Sequence, residues 1–134
     1  DPGGTRAAMY KPYHLIGLEL GVPVLSAALR GEPTGAPTGF RGDVVATAKR
    51  DLAAGEELDG EGGYCVWGKL MPAQESLEIG GLPIGLAHGI RLTRSVSAGQ
   101  SLTWADVEID QTDNAYRTRR QMEELFAAKA GAAA

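Results

Sequence analysis

One cysteine, Cys65, stands among 134 residues. That excludes an internal disulfide and fits a reducing, cytoplasmic setting. Beside Val66 and Trp67, in an apolar stretch, it reads as a small core residue. Positive charge is also scarce: 13 Lys and Arg face 17 Asp and Glu, a net charge of −4. Binding nucleic acid needs a basic face to neutralise phosphates, so that class is excluded. The densest basic group, Arg117, Arg119 and Arg120, is followed by Glu123 and Glu124 and reads as a mixed, solvated helix face. No apolar run reaches the roughly 18 residues of a membrane span, and no signal-peptide pattern is present, so no membrane association is expected. Two distant histidines, one cysteine and no H-x-E or C-x-x-C spacing supply no metal-ligand set. The chain also lacks a G-x-G-x-x-G fingerprint. Gly60-Glu61-Gly62-Gly63 comes nearest, without the third glycine spacing or a following helix.

What is present is a globular composition, 43% apolar and 22% charged, rich in turns through 19 Gly and 7 Pro. The length suits one domain with appendages. The opening DPGGTRAAMYKP lacks an initiator Met and reads as the interior of a longer polypeptide. Residues 1–13 form a loop, and Pro12 disfavours helix at Lys11, so the first helix starts near Tyr13 or His14. The segment HLIGLELGVPVLSAALRG is apolar nearly all round, which predicts a helix buried between two surfaces. Pro23 would kink or divide it near Gly21, and Gly31 would stop it. The linker GEPTGAPTGFRGD then separates a region 1–42 from a body 43–134. Strands are expected at 44–50, 63–70, 82–87 and 90–96. Thr103 to Asp106 fits a Thr-x-x-acid start to one helical turn, and 107–110 returns to an extended form. The terminal stretch 115–130 is an amphipathic helix with Tyr116, Met122, Leu125 and Phe126 on one side. The class is α+β.

The body writes one sentence twice. AKRDLAAGEELDG (48–60) overlays LTRSVSAGQSLTW (92–104), with Arg50 on Arg94, Leu52 on Val96, Ala54-Gly55 on Ala98-Gly99, Glu56 on Gln100 and Leu58 on Leu102. The Ala-Gly corner and flanking apolar residues are kept, while the charges drift. Catalytic constellations keep polar groups, and pseudo-symmetric scaffolds keep turns and core positions. The repeat therefore predicts two copies of one corner about an approximate two-fold axis.

KRDLAAGEEL and LTRSVSAGQSLTWADVEI resemble the SAF domain, which has the small β-clip fold. MYKPYHLIGLELG, LRGEPTG, DVVATAKRDLAAGEELDGEGGY and GKLMPA…LPIGLAHG further resemble the C-terminal region of homoserine-dehydrogenase-like NAD(P)H-dependent oxidoreductases, some of which act like 1-deoxyxylulose-5-phosphate reductoisomerases. The resemblance implies a mainly-β β-clip body flanked by a buried N-terminal helix and a C-terminal helix. It also implies a Rossmann-type domain upstream that binds NAD(P)H, a small anionic substrate, and inactivity of this segment alone. It leaves homo-oligomerisation open.

Candidate site residues cluster early. Arg6, Tyr10, Lys11, Tyr13 and His14 meet where a Gly-rich loop joins a helix. Cations there suit a phosphate or carboxylate, and Lys11 or His14 could polarise a carbonyl during hydride transfer. The competing reading is that Tyr10, Lys11 and His14 only anchor the loop to the helix end. Taking the resemblance into account, Lys11 and His14 are the catalytic candidates, and Arg6, Tyr10 and Lys11 the substrate-binding ones. His88, between glycines, reads as structural. Glu56, Glu57, Asp59 and Glu61 read as a solvated group, since nothing apolar surrounds them to raise a carboxyl pKa. Trp67 and Trp104 read as packing residues. The rival to the oxidoreductase is a non-enzymatic β-clip module that binds a sugar acid or acts in assembly.

Overall fold

The computed structural model describes residues 3–4, 8–36 and 38–131, with side chains to 127. The chain divides into two compact units, Asp1–Thr38 and Gly39–Ala134.

The first unit is a loop followed by helix α1 (Ile16–Leu25), which runs into one π-helical turn, Ser26–Arg30. Pro23 lies inside α1 without dividing it. A proline removes one backbone donor from the ladder, and the widened turn just after it is where that irregularity is absorbed. Gly31, with φ of 66°, ends the helix in the left-handed conformation that glycine adopts cheaply. Expected burial of α1 is not found. No residue of the helix is buried, and Ile16, Leu18, Leu20, Val22, Val24 and Leu25 are 55% to 71% exposed. An all-round apolar helix needs cover on several faces, and one helix with its loops cannot supply it.

The second unit carries two small antiparallel sheets. Strand β1 (Gly42–Ala48) pairs with β3 (Val66–Pro72), from Gly42 opposite Pro72 to Ala48 opposite Val66. Strands β2 (Glu57–Asp59), β4 (His88–Leu92) and β5 (Val107–Glu108) form the other sheet, in the order β2-β4-β5. Helix α2 (Ala73–Ile79) follows β3, and helix α3 (Asn114–Gly131) closes the chain. This is the expected α+β class with a β-clip body.

The strand expected at 82–87 is instead two isolated bridges, at Gly81 and Pro83, followed by a 3₁₀ turn over Ile84–Leu86. Pro83 cannot donate to a ladder, which shortens the pairing. Helix α2 went unforeseen: AQESLEI is a run of good helix formers, closed by Gly80 at φ of 64°. The turn over Trp104–Asp106 has the expected capping box with Thr103.

The two copies of the repeat face each other. The N–H of Leu52 donates to Val96 O and that of Val96 to Leu52 O. Gly55 N–H donates to Leu92 O while Gly99 N–H donates to Ala48 O, and Leu92 N–H donates to Glu56 O while Ala48 N–H donates to Gln100 O. Each bond has its counterpart in the other copy, as an approximate two-fold axis requires. The repeated apolar positions Ala48, Leu92, Leu52, Val96, Leu58 and Leu102 all lie in the core. Glu56 and Gln100 keep one bond as well: their side-chain oxygens accept from the N–H of Ala53 and Ser97.

Candidate functional site

Glu19 gathers the early cluster. Its carboxylate meets Lys11 Nζ through Oε1 and His14 Nδ1 through Oε2, the latter at 2.5 Å. Oε1 also accepts the backbone N–H of Leu15, at 3.2 Å, where α1 begins. Lys11 Nζ further lies 5.6 Å from the centre of the Tyr13 ring, within cation–π range. Of the sequence candidates, Lys11 and His14 are thus brought together on one carboxylate. Tyr10 is 89% exposed, and Arg6 lies outside the described residues. Glu19 itself was not singled out in the sequence, although an acid in the first helical turn is a signal for such a contact. The carboxylate neutralises charge that an anionic ligand would otherwise meet, so an anion here competes with Glu19.

Several titratable groups of the body pair with one another or with its backbone. The acidic group after the first corner is not merely solvated. Glu56 pairs with Arg50, and Glu57 with Arg91 at 2.7 Å. Hydrogen bonding by Arg50, and then by the Ala53 N–H, lowers the Glu56 carboxyl below its ordinary value. The Asp59 carboxylate accepts the N–H groups of Tyr64 and Cys65, which lower its pKa to about 2. Burial pushes the Cys65 thiol up, as suits a core residue. His88 is exposed, with Nδ1 3.2 Å from Asp59 O.

The glycine run after β2 does not fit a dinucleotide. It turns between β2 and β3 rather than into a helix. A Cβ on Gly63 would sit 2.2 Å from Asp59 Cγ, and one on Gly60 would sit 2.9 Å from His88 Nδ1. Side chains thus crowd the run at Gly60 and Gly63, and it leads into a strand rather than into the helix N-terminus that a pyrophosphate-binding turn precedes.

The basic face of α3 is also committed. Arg119 reaches Asp43 through both terminal nitrogens and Glu123 Oε1 through Nε, and its guanidinium lies 5.0 Å from the Phe40 ring centre. Arg120 pairs with the same Glu123 and stacks over Trp104, whose ring packs edge-on against Tyr116. Burial alone would raise the Asp43 carboxyl, but hydrogen bonds from Arg119 and Ser76 hold it below its ordinary value. Arg119 is likewise desolvated, yet Asp43 and Glu123 keep its pKa raised. The expected solvated face is therefore a docking face at Arg119 and Arg120, while Arg117 is exposed as expected and Leu125 of the expected apolar side is 54% exposed. Trp67 departs from expectation too, being 44% exposed on β3.

Between the 3₁₀ turn at Ile84–Leu86 and α3 runs an open groove of about 610 Å³, with Pro83, Leu86 and Met122 on its walls and Asn114 and Thr118 as polar groups. Among the described residues no group of three or more His, Cys, Asp or Glu is arranged to hold a metal, and no helix is long and apolar enough to cross a membrane.

No curated protein matches the chain. The model of the SAF domain family matches residues 43–108, from the second residue of β1 to the last of β5. The β-clip body built on the repeat is a SAF domain.

Proposed function

We propose that this SAF domain is the C-terminal part of a larger NAD(P)-dependent oxidoreductase of the homoserine-dehydrogenase-like kind. In this reading an upstream Rossmann-type domain binds NAD(P)H, and the segment 6–14 helps close a site for a small phosphorylated or carboxylated carbonyl compound. The observation that carries it is the uncovered α1, apolar on every side and led by Lys11 and His14. Such a surface calls for a covering body, and that body would set the two polar side chains at its boundary. Lys11 would supply positive charge to the substrate oxygen, and His14 would move its proton. Neither role requires the chain to hold the dinucleotide, which its glycine run does not fit.

The test is turnover in the protein with its upstream domain present. Lys11→Ala and His14→Ala should each lower kcat by about 100-fold, the scale of a lost acid–base or electrostatic group. The unfolding midpoint of the SAF domain should not move. Wild-type rates in both variants would remove the role.

The open groove beside α3, with Asn114 and Thr118 on largely apolar walls, favours a second reading, a module that binds a small molecule without a cofactor, for which a sugar acid is the candidate to test. Titrating the chain with sugar acids and with NADPH separates the two. Saturable sugar-acid binding alone favours the module.

A further inference from the structure

The contact between Glu19 and His14 decides more than where a loop is tied. A carboxylate that only capped α1 would need one bond, to the Leu15 N–H, and Glu19 makes that bond at 3.2 Å. The same carboxylate also takes Lys11 Nζ on Oε1 and His14 Nδ1 on Oε2. A neutral imidazole facing a carboxylate through Nδ1 carries its proton there, because two lone pairs in contact repel. The nitrogen left with a lone pair is then Nε2, on the far side of the ring. His14 has 73% of its side chain exposed and spends Nδ1 on Glu19, which leaves Nε2 as the ring nitrogen without a partner among the described residues.

We infer that Glu19 is a positioning residue, which fixes His14 as the Nδ1–H tautomer and holds Lys11 on the same anchor. This rests on the proposed role of segment 6–14. His14 Nε2 then accepts the proton of a substrate hydroxyl: the O–H bond breaks, an N–H bond forms, and the imidazolium sits against the Glu19 carboxylate. In the reverse direction Nε2 returns that proton to the oxygen. Lys11 adds a positive charge beside the oxygen in either direction. Without Glu19 the imidazole is free to rotate and to carry its proton on Nε2, where it cannot accept one.

Nitrogen-15 NMR of the histidines in the 134-residue chain reads the tautomer directly, at alkaline pH where an imidazole is neutral. His14 should be predominantly Nδ1–H in the wild type and shift toward Nε2–H in Glu19→Ala. Glu19→Gln, whose side-chain oxygen still accepts, should keep most of the Nδ1–H form. His88 should not respond to either substitution. An Nε2–H tautomer in the wild type, or no shift in Glu19→Ala, overturns the positioning role and leaves the role of segment 6–14 standing. In the oxidoreductase with its upstream domain, Glu19→Ala should lower kcat about tenfold or more, with KM moving less, and Glu19→Gln should recover part of the loss. Wild-type turnover in both Glu19→Ala and His14→Ala, with the tautomer shift present, overturns the role of the segment itself and the positioning role with it.

Discussion

Leu52 and Val96 occupy the same place in the two copies of the repeat, and each donates its backbone N–H to the other's carbonyl, at 2.8 and 3.0 Å. The approximate two-fold axis passes between them. The equivalent pairs around it differ in chemistry while sharing geometry. Thr47 faces Ser101 with their hydroxyls 3.2 Å apart, and at the symmetric position Glu57 faces Arg91 as an ion pair. Backbone geometry is what the repeat conserves, and side-chain polarity follows local exposure.

Truncation at the axis should therefore be costly and coupled. Both side chains are at most 2% exposed. Leu52→Ala should destabilise the chain by about 3 kcal/mol and Val96→Ala by about 2 kcal/mol, through lost burial and a cavity that neighbours only partly fill. Since the two share one cavity, the double variant should depart from additivity by about 0.5 kcal/mol or more. Denaturant unfolding measures this, and strict additivity would argue against a shared axis contact.

The corner glycines supply a second check. Gly55 and Gly99 have φ of 80° and 79°, and a Cβ on either meets open space. Alanine there should cost about 1–2 kcal/mol from backbone strain alone, and nearly the same at both sites. Gly85→Ala, in equally open space but without positive φ, should be close to neutral. Gly63→Ala should exceed all three, because its Cβ displaces the Asp59 carboxylate from the N–H groups it accepts. Melting temperatures of the four variants would rank them.

Asp59 also sets a pH dependence. Its pKa is lowered from 3.8 to about 2 by the Tyr64 and Cys65 N–H groups. The folded chain binds this proton more weakly than the unfolded one, so Asp59 stabilises the fold above its ordinary pKa. That contribution is lost as pH falls from about 4 toward 2. Asp59→Asn should lower stability at neutral pH, and its curve should converge on the wild-type curve near pH 2. A carboxyl titration midpoint close to 4, by NMR, would remove the effect.

How far the sequence shows all this depends on range. The corners, the core positions between them and the Thr103 cap are local signals of turn chemistry and alternation, so the repeat exposes the paired corners and their symmetry, while the β-clip body comes from the resemblance to the SAF domain. Helix α2 is short and nearly without an apolar period, so only its propensity and Gly80 mark it. The Arg119–Asp43 pair joins residues 76 positions apart, and no local pattern relates them. Composition alone makes Arg117, Arg119 and Arg120 look like one solvated face, although only packing distinguishes Arg119. For α1, apolar character on every side is plain, yet what covers it cannot be read from the residues that need covering. The early site cluster was visible as a gathering of Tyr10, Lys11 and His14, while its organiser, Glu19, is one helical turn further along.

Substitutions on α1 should be silent in the stability of the body. Leu18→Gln and Leu25→Gln remove no buried contact, since both residues are more than half exposed. The cooperative unfolding of the SAF domain should shift by less than about 0.5 kcal/mol, as for ordinary surface positions. Binding of a hydrophobic dye to the chain should fall, because the exposed apolar area shrinks. A large drop in stability would mean that α1 is part of the folded core.

The attachment of α3 gives the sharpest contrast. Arg119 and Asp43 leave 14% and 6% of their side chains exposed, and Ser76 Oγ donates to the same carboxylate from α2. Arg119→Ala strands a buried carboxylate, and such a loss should cost about 3 kcal/mol. Arg119→Lys should recover little of it, because one ammonium cannot replace the fork that reaches Asp43 and Glu123 together. Removing both charges, as Asp43→Leu with Arg119→Met, should return most of the stability, since Arg120 still pairs with Glu123 and no uncompensated charge then stays buried. If the charge-free pair is as unstable as Arg119→Ala, the cost lies in lost packing against Phe40, and Phe40→Leu should then be equally damaging.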